Sequence, residues 1–129
     1  MIKKHLIPGD TFVDIGANIG QHSLFASQVV GSSGKVISFE PIPRIYEQFK
    51  KSIDVNNFKN IDVYNLGCGS KQEELEIFSA ANAGASSIID SSRDTYKEKI
   101  KLVTADSILE EYEKVSFIKI DVEGYEYFA

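Results

Sequence analysis

The chain has 129 residues, enough for one small domain, and its 43% hydrophobic and 26% charged content is typical of a globular protein. Its 19 acidic and 14 basic residues give a formal net charge of −5, and the basic residues are scattered, which argues against nucleic acid as a partner. A single cysteine excludes an internal disulfide, and neither a signal peptide nor an apolar run of ~20 residues is present, so we expect a cytoplasmic protein without a transmembrane segment.

The first half of the chain alternates predicted strands and helices. Residues 11–15 are mostly apolar or β-branched, which predicts a strand buried on both faces of a parallel sheet. A helix is predicted next, ending at Gly31, and residues 36–39 form a second short strand. Residues 45–53 then show the spacing of an amphipathic helix. The apolar face predicted for the first helix consists of Leu24, Phe25, Val29 and Val30.

The middle of the chain predicts a third strand and a hairpin. Residues 61–66 have the composition of a strand, and residues 67–70 that of a turn. Residues 75–78 and 86–89 are predicted to pair as a hairpin around a tip of small residues.

The last part of the chain predicts two strands and a short helix. Residues 101–104 are predicted to form a short strand. Ser107 and Glu110 have capping-box spacing for a helix, and residues 115–122 form the last strong strand.

This alternation predicts an α/β fold of the Rossmann-like, doubly wound kind. We expect a mainly parallel sheet with helices on both faces and a small β-hairpin insertion, forming one domain over residues 1–129. The sheet is expected to be incomplete at the C-terminus, where an exposed edge would favour a homo-oligomer. Ligands of such sheets bind beyond the carboxyl ends of the strands.

A glycine-rich turn lies between the first strand and the first helix. The sequence from Asp14 to Gly20 reads DIGANIG, and glycines there let the backbone turn tightly and approach a ligand. It is not the dinucleotide pattern, because Asp14 replaces the first glycine and its carboxylate would repel a pyrophosphate. S-adenosylmethionine carries an α-ammonium, a sulfonium and no phosphate, and its carboxylate could bind the amides that begin the helix. Charge complementarity therefore favours that cofactor.

A second carboxylate, Glu40, ends the second predicted strand. An acidic side chain there can accept hydrogen bonds from both ribose hydroxyls of the cofactor. Gly67 and Cys68 are placed to flank an adenine ring. Asp14 could instead cap the helix and Glu40 could be a solvated strand end, but the two together around a glycine turn favour the cofactor. The candidate cofactor-binding residues are Asp14, Gly16, Ala17, Asn18, Gly20, Glu40, Pro41, Gly67 and Cys68.

Charged residues share one face of the last predicted strand, where Lys119, Asp121 and Glu123 alternate with aliphatic residues. Buried unpaired charges cost several kcal/mol, so these side chains must pair with one another or open into a cleft. We take all three as candidate catalytic residues, with Asp121 or Glu123 orienting and deprotonating an acceptor hydroxyl. The structural alternative is a local ion-pair network in which Lys119 neutralises one carboxylate.

Two further chemistries receive little support from the sequence. Two visible carboxylates are too few ligands for a divalent metal site, and none is predicted. His22 could act as a base, but a lone histidine there is more often a surface or packing residue.

Three segments in this order resemble the FkbM family of methyltransferases, and together they span nearly the whole chain. Residues 12–20 resemble its first motif, residues 36–41 its ribose-binding strand and residues 118–126 its third signature. The resemblance implies O-methyl transfer from S-adenosylmethionine to a hydroxyl, often of a sugar or natural product, with cofactor contacts at Asp14, Gly16 and Glu40. Residues 82–87 resemble the small-residue hairpin of the family, which we expect near the substrate entrance.

Two other functions remain as alternatives at this stage. A non-catalytic Rossmann-like binding or assembly module is compatible with the missing C-terminal strands. An NAD-dependent oxidoreductase is disfavoured by Asp14 in the pyrophosphate position.

Overall fold

The computed structural model describes residues 6–80, 95–112 and 115–120. Within them lie a four-stranded sheet, a three-stranded sheet and three helices. The strands are β1 (Thr11–Ile15), β2 (Lys35–Phe39), β3 (Ile61–Tyr64), β4 (Gly67–Cys68), β5 (Glu73–Ala80), β6 (Thr95–Val103) and β7 (Phe117–Ile120), and the helices are α1 (Gln21–Val30), α2 (Pro43–Val55) and α3 (Ala105–Leu109).

The larger sheet is entirely parallel and has the strand order β3-β2-β1-β7. One face packs against α1 and α2 through a cluster that includes Phe12, Val30 and Phe49, and the other face packs against α3 through Val13 and Phe39. The predicted α/β fold with a parallel sheet and helices on both faces is therefore confirmed.

Helix α1 contacts the sheet through small side chains. Its fully buried residues are Ser23, Ala26, Ser27 and Val30. The predicted apolar face was wrong in part, since Leu24 and Val29 are only partly buried and Phe25 is 38% exposed. Small residues allow the helix to approach the sheet closely, and hydrogen bonds satisfy the buried serine hydroxyls.

Helix α2 has the face that the sequence predicts, with Ile45, Phe49 and Ile53 buried. Pro43 occupies its first turn, where the missing N–H costs nothing because no intrahelical acceptor exists there. The helix ends at Val55, Asn56 is its C-cap, and Asn57 follows with a φ of 59°.

The smaller sheet corrects two sequence predictions. Strand β5 pairs antiparallel with β6, and Leu75 lies opposite Ile100, so the partner of residues 75–78 is not 86–89, which lie outside the described residues. Gly67 and Cys68 form β4, parallel to β6, instead of a turn. Ile77, Ile100 and Leu102 bury their side chains against the start of α2, and this burial fixes the pairing.

Helix α3 is capped by a residue that the sequence analysis did not select. Thr104 is the N-cap, and its hydroxyl accepts a hydrogen bond from the Ser107 backbone N–H. The capping box predicted at Ser107 and Glu110 was therefore placed too late in the chain, because the helix begins at Ala105.

Candidate cofactor site

The loop at residues 16–20 follows β1 and leads into α1. Three of its residues have left-handed backbone conformations, with φ of 78° at Gly16, 62° at Asn18 and 93° at Gly20. The backbone N–H groups of Gly16 and Ala17 both donate to the carbonyl oxygen of Phe39, at 3.0 and 2.9 Å. These bonds fasten the loop to the carboxyl end of β2, where the sequence placed the cofactor.

Glu40 joins the loop to the segment before α2. Its Oε1 accepts a hydrogen bond from the Asn18 backbone N–H at 2.7 Å, and its Oε2 accepts one from the Ile42 N–H at 3.0 Å. Glu40 is 4% exposed, so it is not the solvated strand end that the sequence left open.

The environment of Glu40 raises the pKa of its carboxyl group to about 7. Burial is the largest cause, because it removes the charged form from water, and the nearby carboxylates of Asp14 and Glu98 add to it. The two backbone hydrogen bonds act in the opposite direction. Glu40 therefore titrates near neutral pH.

Asp14 lies beneath the loop in a chain of buried polar groups. Its Oδ2 accepts a hydrogen bond from the Ser23 hydroxyl at 2.6 Å, and the Ser23 and Ser38 hydroxyl oxygens are 2.7 Å apart. Its Oδ1 lies 3.8 Å from Lys119 Nζ on the neighbouring strand β7. Asp14 is fully buried and Lys119 has a side chain 20% exposed, so Lys119 partly neutralises this carboxylate.

The candidate catalytic residues are not all described. Lys119 pairs with Asp14, whereas Asp121 and Glu123 lie outside the described residues. Lys119 therefore does form an ion pair, as the structural alternative expected, but the partner seen in the structure is Asp14 on β1. His22 lies exposed in the first turn of α1.

Two of the predicted glycines serve packing. A Cβ at Gly20 would lie 2.3 Å from the ring of Phe49, so this position brings the start of α1 against α2. A Cβ at Gly67 would lie 2.6 Å from Leu102 Cδ2 and 3.2 Å from Pro41 Cβ. Their lack of a side chain is required by the fold, whatever ligand binds nearby.

Asn65, which no sequence motif singled out, orders the Glu40 segment. Its Nδ2 donates to the backbone oxygens of Glu40 and Pro41, at 2.9 and 3.1 Å. A polar asparagine near the end of the strand predicted over residues 61–66 was the available signal, and the observed strand ends just before it, at Tyr64. Cys68 lies nearby in β4, and burial raises the pKa of its thiol to about 12, so it stays protonated at neutral pH.

The residues of the loop fit S-adenosylmethionine on two observations. Gly20, the N-cap of α1, gives no side-chain cap, and the first turn of α1 holds no acidic residue, so this helix start suits a carboxylate. The Oδ1 atom of Asn18 is buried and accepts no hydrogen bond from the described part of the chain. An uncapped helix start and a buried acceptor match the two ends of an amino acid.

Other surfaces do not coincide with this site. An open groove of about 450 Å³ lies along β3 and α2, lined by residues that include Lys50, Phe58 and Tyr64, and it contains no candidate site residue. Across residues 6–80, 95–112 and 115–120, no three histidine, cysteine or acidic side chains are grouped to hold a metal. No helix in these ranges has the length and apolar character needed to cross a membrane.

Comparison with known proteins gives one family and several relatives. The model of the methyltransferase FkbM domain matches residues 14–129. A protein-L-isoaspartate O-methyltransferase 2 of Archaeoglobus fulgidus is 37% identical over 68 residues, which are 53% of this chain and 31% of that protein. Methyltransferase 1 of Beauveria bassiana is 24% identical over 142 residues, covering 92% of this chain and 57% of that protein.

A solved structure extends the likeness to the fold. The methyltransferase FkbM from Methylobacillus flagellatus aligns with 97% of this chain and 33% of its own, with a TM-score of 0.61 and 19% identity. The chain thus spans about a third of that protein and less than two thirds of the curated relatives above.

Proposed function

The chain belongs to the methyltransferase FkbM domain family, and on that premise we propose that it binds S-adenosyl-L-methionine beyond β1 and β2 and serves O-methyl transfer to a small-molecule hydroxyl, such as that of a sugar. The observation that carries the proposal is the hydrogen bond from the Asn18 N–H to Glu40, which joins the glycine loop to the carboxylate at the end of β2. A curated relative at 37% identity is named as an O-methyltransferase, which supports the oxygen acceptor.

Each part of the loop has a proposed task in holding the cofactor. Glu40 accepts hydrogen bonds from the ribose hydroxyls, since each of its oxygens keeps a lone pair beyond the backbone bonds it already makes. The uncapped start of α1 binds the carboxylate, and Asp14 adds negative charge beneath the amino-acid end. Gly67, Cys68 and Pro41 flank the adenine.

When bound, the cofactor would supply a methyl group that the acceptor oxygen takes as the carbon–sulfur bond breaks and its electron pair stays on sulfur. The residues of the chain have to align the acceptor hydroxyl and remove its proton. We propose Asp121 or Glu123 for the proton, with Lys119, which is close to both in sequence, as a charged neighbour. Alignment contributes roughly 7 to 11 kcal/mol and a base about 10²- to 10⁴-fold in rate.

Calorimetric titration with S-adenosylhomocysteine, with NADH as the control, tests the cofactor. We expect selective binding of S-adenosylhomocysteine by the folded chain and its loss in Asp14→Ala. Binding of NADH alone would instead support an oxidoreductase. If the folded chain binds neither ligand, the result would support a non-catalytic module.

A screen for methyl acceptors tests the proposed transfer to oxygen. We expect a screen of sugar and other hydroxyl acceptors with a labelled methyl donor to find turnover that falls by at least tenfold in Asp121→Asn or Glu123→Gln. Full turnover in both variants would contradict the proposed base.

A further inference from the structure

An ion pair fastens the hairpin of β5 and β6 to the first turn of α2. Arg44 Nη2 on α2 lies 3.6 Å from Glu98 Oε2 on β6, and the two side chains are 27% and 13% exposed. Lys97, the neighbour of Glu98 along β6, has a side chain that is 62% exposed. Successive side chains of a strand point to opposite faces, so Glu98 lies on the inner face of the hairpin, as the buried Ile100 does.

The inner face of the hairpin also packs against the segment that follows Glu40. Ile42 is 1% exposed and belongs to the same buried cluster as Ile77 on β5 and Ile100 on β6. Ile19 of the glycine loop packs against this cluster as well. The hairpin therefore contacts both of the segments that Glu40 joins.

Arg44 lies two residues after the backbone group that binds Glu40. Glu40 Oε2 accepts a hydrogen bond from the Ile42 N–H at 3.0 Å, and the Glu40 backbone oxygen accepts one from Asn65 at 2.9 Å. An ion pair that holds Arg44 against β6 limits the movement of the first turn of α2. It thereby fixes the Ile42 N–H and, through it, one oxygen of the Glu40 carboxylate.

The same ion pair places charges near Glu40. Two carboxylates disfavour the charged form of Glu40, namely Asp14 from β1 and Glu98 from β6. Each of them has a cation beside it, since Lys119 pairs with Asp14 and Arg44 pairs with Glu98. Removal of the Glu98 charge should therefore favour charged Glu40, whereas removal of the Arg44 charge should disfavour it.

The other titratable side chains on the elements around Glu40 include Cys68 on β4, His22 on α1, and Asp62 and Tyr64 on β3. Burial keeps the Cys68 thiol protonated at neutral pH, because it raises the thiol pKa to about 12. His22 is exposed, and Asp62 accepts a hydrogen bond from the Tyr112 hydroxyl at 2.8 Å. These groups do not connect Glu40 to the hairpin.

One other carboxylate among the described residues, Glu73, shares the inner face of the hairpin. Glu73 on β5 lies opposite Leu102, which is about 13 Å along β6 from Glu98. Charges at such a distance are largely screened by salt where solvent reaches them. Glu98 is therefore the hairpin carboxylate that can act on Glu40.

We infer that Glu98, through its ion pair with Arg44, is a positioning residue for the cofactor site: it holds the first turn of α2 against the hairpin and places its charge near the Glu40 carboxyl group. This inference rests on the proposed function. The hairpin then influences cofactor binding through Glu40.

Opposite effects of the two partners distinguish this role from a purely structural clamp. Glu98→Gln removes a negative charge and Arg44→Met removes a positive one, yet both variants break the ion pair. A clamp alone predicts the same change in both. NMR titration of the Glu40 side-chain carboxyl carbon in the ligand-free chain should show a lower midpoint in Glu98→Gln and a higher midpoint in Arg44→Met.

Calorimetry with S-adenosylhomocysteine near pH 6 measures the consequence for binding. We expect the affinity to rise about twofold or more in Glu98→Gln and to fall about twofold or more in Arg44→Met, because the charged fraction of Glu40 changes. The exposed pair of Lys97 and Glu76 on the same hairpin provides the control. Lys97→Met and Glu76→Gln should leave the Glu40 midpoint and the affinity unchanged.

The outcomes separate the inference from the proposed function. Glu40 midpoints that move in the same direction in both variants, or in neither, would overturn the inference. If Arg44→Met does not fold, an unchanged or higher midpoint in Glu98→Gln would overturn it alone. Midpoints that move as expected with unchanged affinities would overturn the influence on binding while the cofactor site stands. If the unaltered chain does not bind S-adenosylhomocysteine, the proposed function fails and the inference with it.

Discussion

The backbone N–H of Asn18 donates to the carboxylate of Glu40 across 2.7 Å, although the two residues lie 22 positions apart in the chain. The bond joins the loop after β1 to the end of the neighbouring strand β2. The two motifs that the sequence presents separately thus form one site, and its central group is a carboxyl with a raised pKa.

Affinity for S-adenosylhomocysteine should rise with pH. Glu40 has a pKa of about 7 in the ligand-free protein, and only its charged form accepts hydrogen bonds from both ribose hydroxyls. The binding-competent fraction grows about tenfold between pH 6 and pH 8, and the apparent affinity follows it. Calorimetry at the two pH values measures the change. Glu40→Gln is the control and should show a flat profile; the same slope in this variant would assign the effect to another group.

The stability of the ligand-free chain should fall as pH rises through the same range. The Glu40 pKa is about 7 when folded and 4.5 in its reference state, so the folded chain holds the proton more tightly. The contribution is fully present below pH 4.5 and is lost as pH rises through 7. Urea unfolding at pH 5 and pH 8 should show about 2 kcal/mol more loss for the protein than for Glu40→Gln. Identical pH dependence in both would contradict the raised pKa.

Replacing Gly20 should destabilise the fold through α2. An added Cβ meets the Phe49 ring at 2.3 Å, and the φ of 93° is unfavourable for alanine. Gly9→Ala is the matched control, because Gly9 has a nearly equal φ of 91° and its new Cβ would meet only Ser33 Oγ, at 3.7 Å. We expect Gly20→Ala to cost about 1 to 3 kcal/mol more than Gly9→Ala in urea unfolding, the usual cost of overpacking. Equal costs would mean that Phe49 moves aside freely.

The buried ion pair of Asp14 and Lys119 should show strong coupling. Its atoms are 3.8 Å apart, and the Asp14 side chain is fully buried, so the charges are poorly screened. A double-mutant cycle with Asp14→Asn and Lys119→Met is expected to give a coupling energy of about 1 to 3 kcal/mol. The exposed pair of Lys97 and Glu76, 3.4 Å apart, is the control and should give less than about 1 kcal/mol. Coupling no greater than in the control would mean that Lys119 does not stabilise the Asp14 charge.

The sequence by itself determined the alternation of elements and the two acidic motifs. Runs such as residues 11–15 and 36–39 are apolar enough to require burial on both faces, which limits them to the interior of a parallel sheet. The glycine loop and Glu40 follow those strands directly, so the parallel topology brings them to one edge. Local pattern was sufficient here because strand, turn and helix signals agree.

Tertiary structure decided what the charged and small residues do. The sequence made Lys119 a candidate catalytic residue, with an ion pair near it in sequence as the alternative, but the register of β7 against β1 places it opposite Asp14. The pairing of β5 with β6 depends on burial of Ile77 and Ile100 against α2, which no short window of sequence contains. The burial of Glu40 and the bond from Asn18 depend on how the chain packs around both, and the resulting loss of hydration sets the Glu40 pKa. Periodicity specifies the elements, whereas the partners of a buried charge are specified only by the contacts made when those elements pack together.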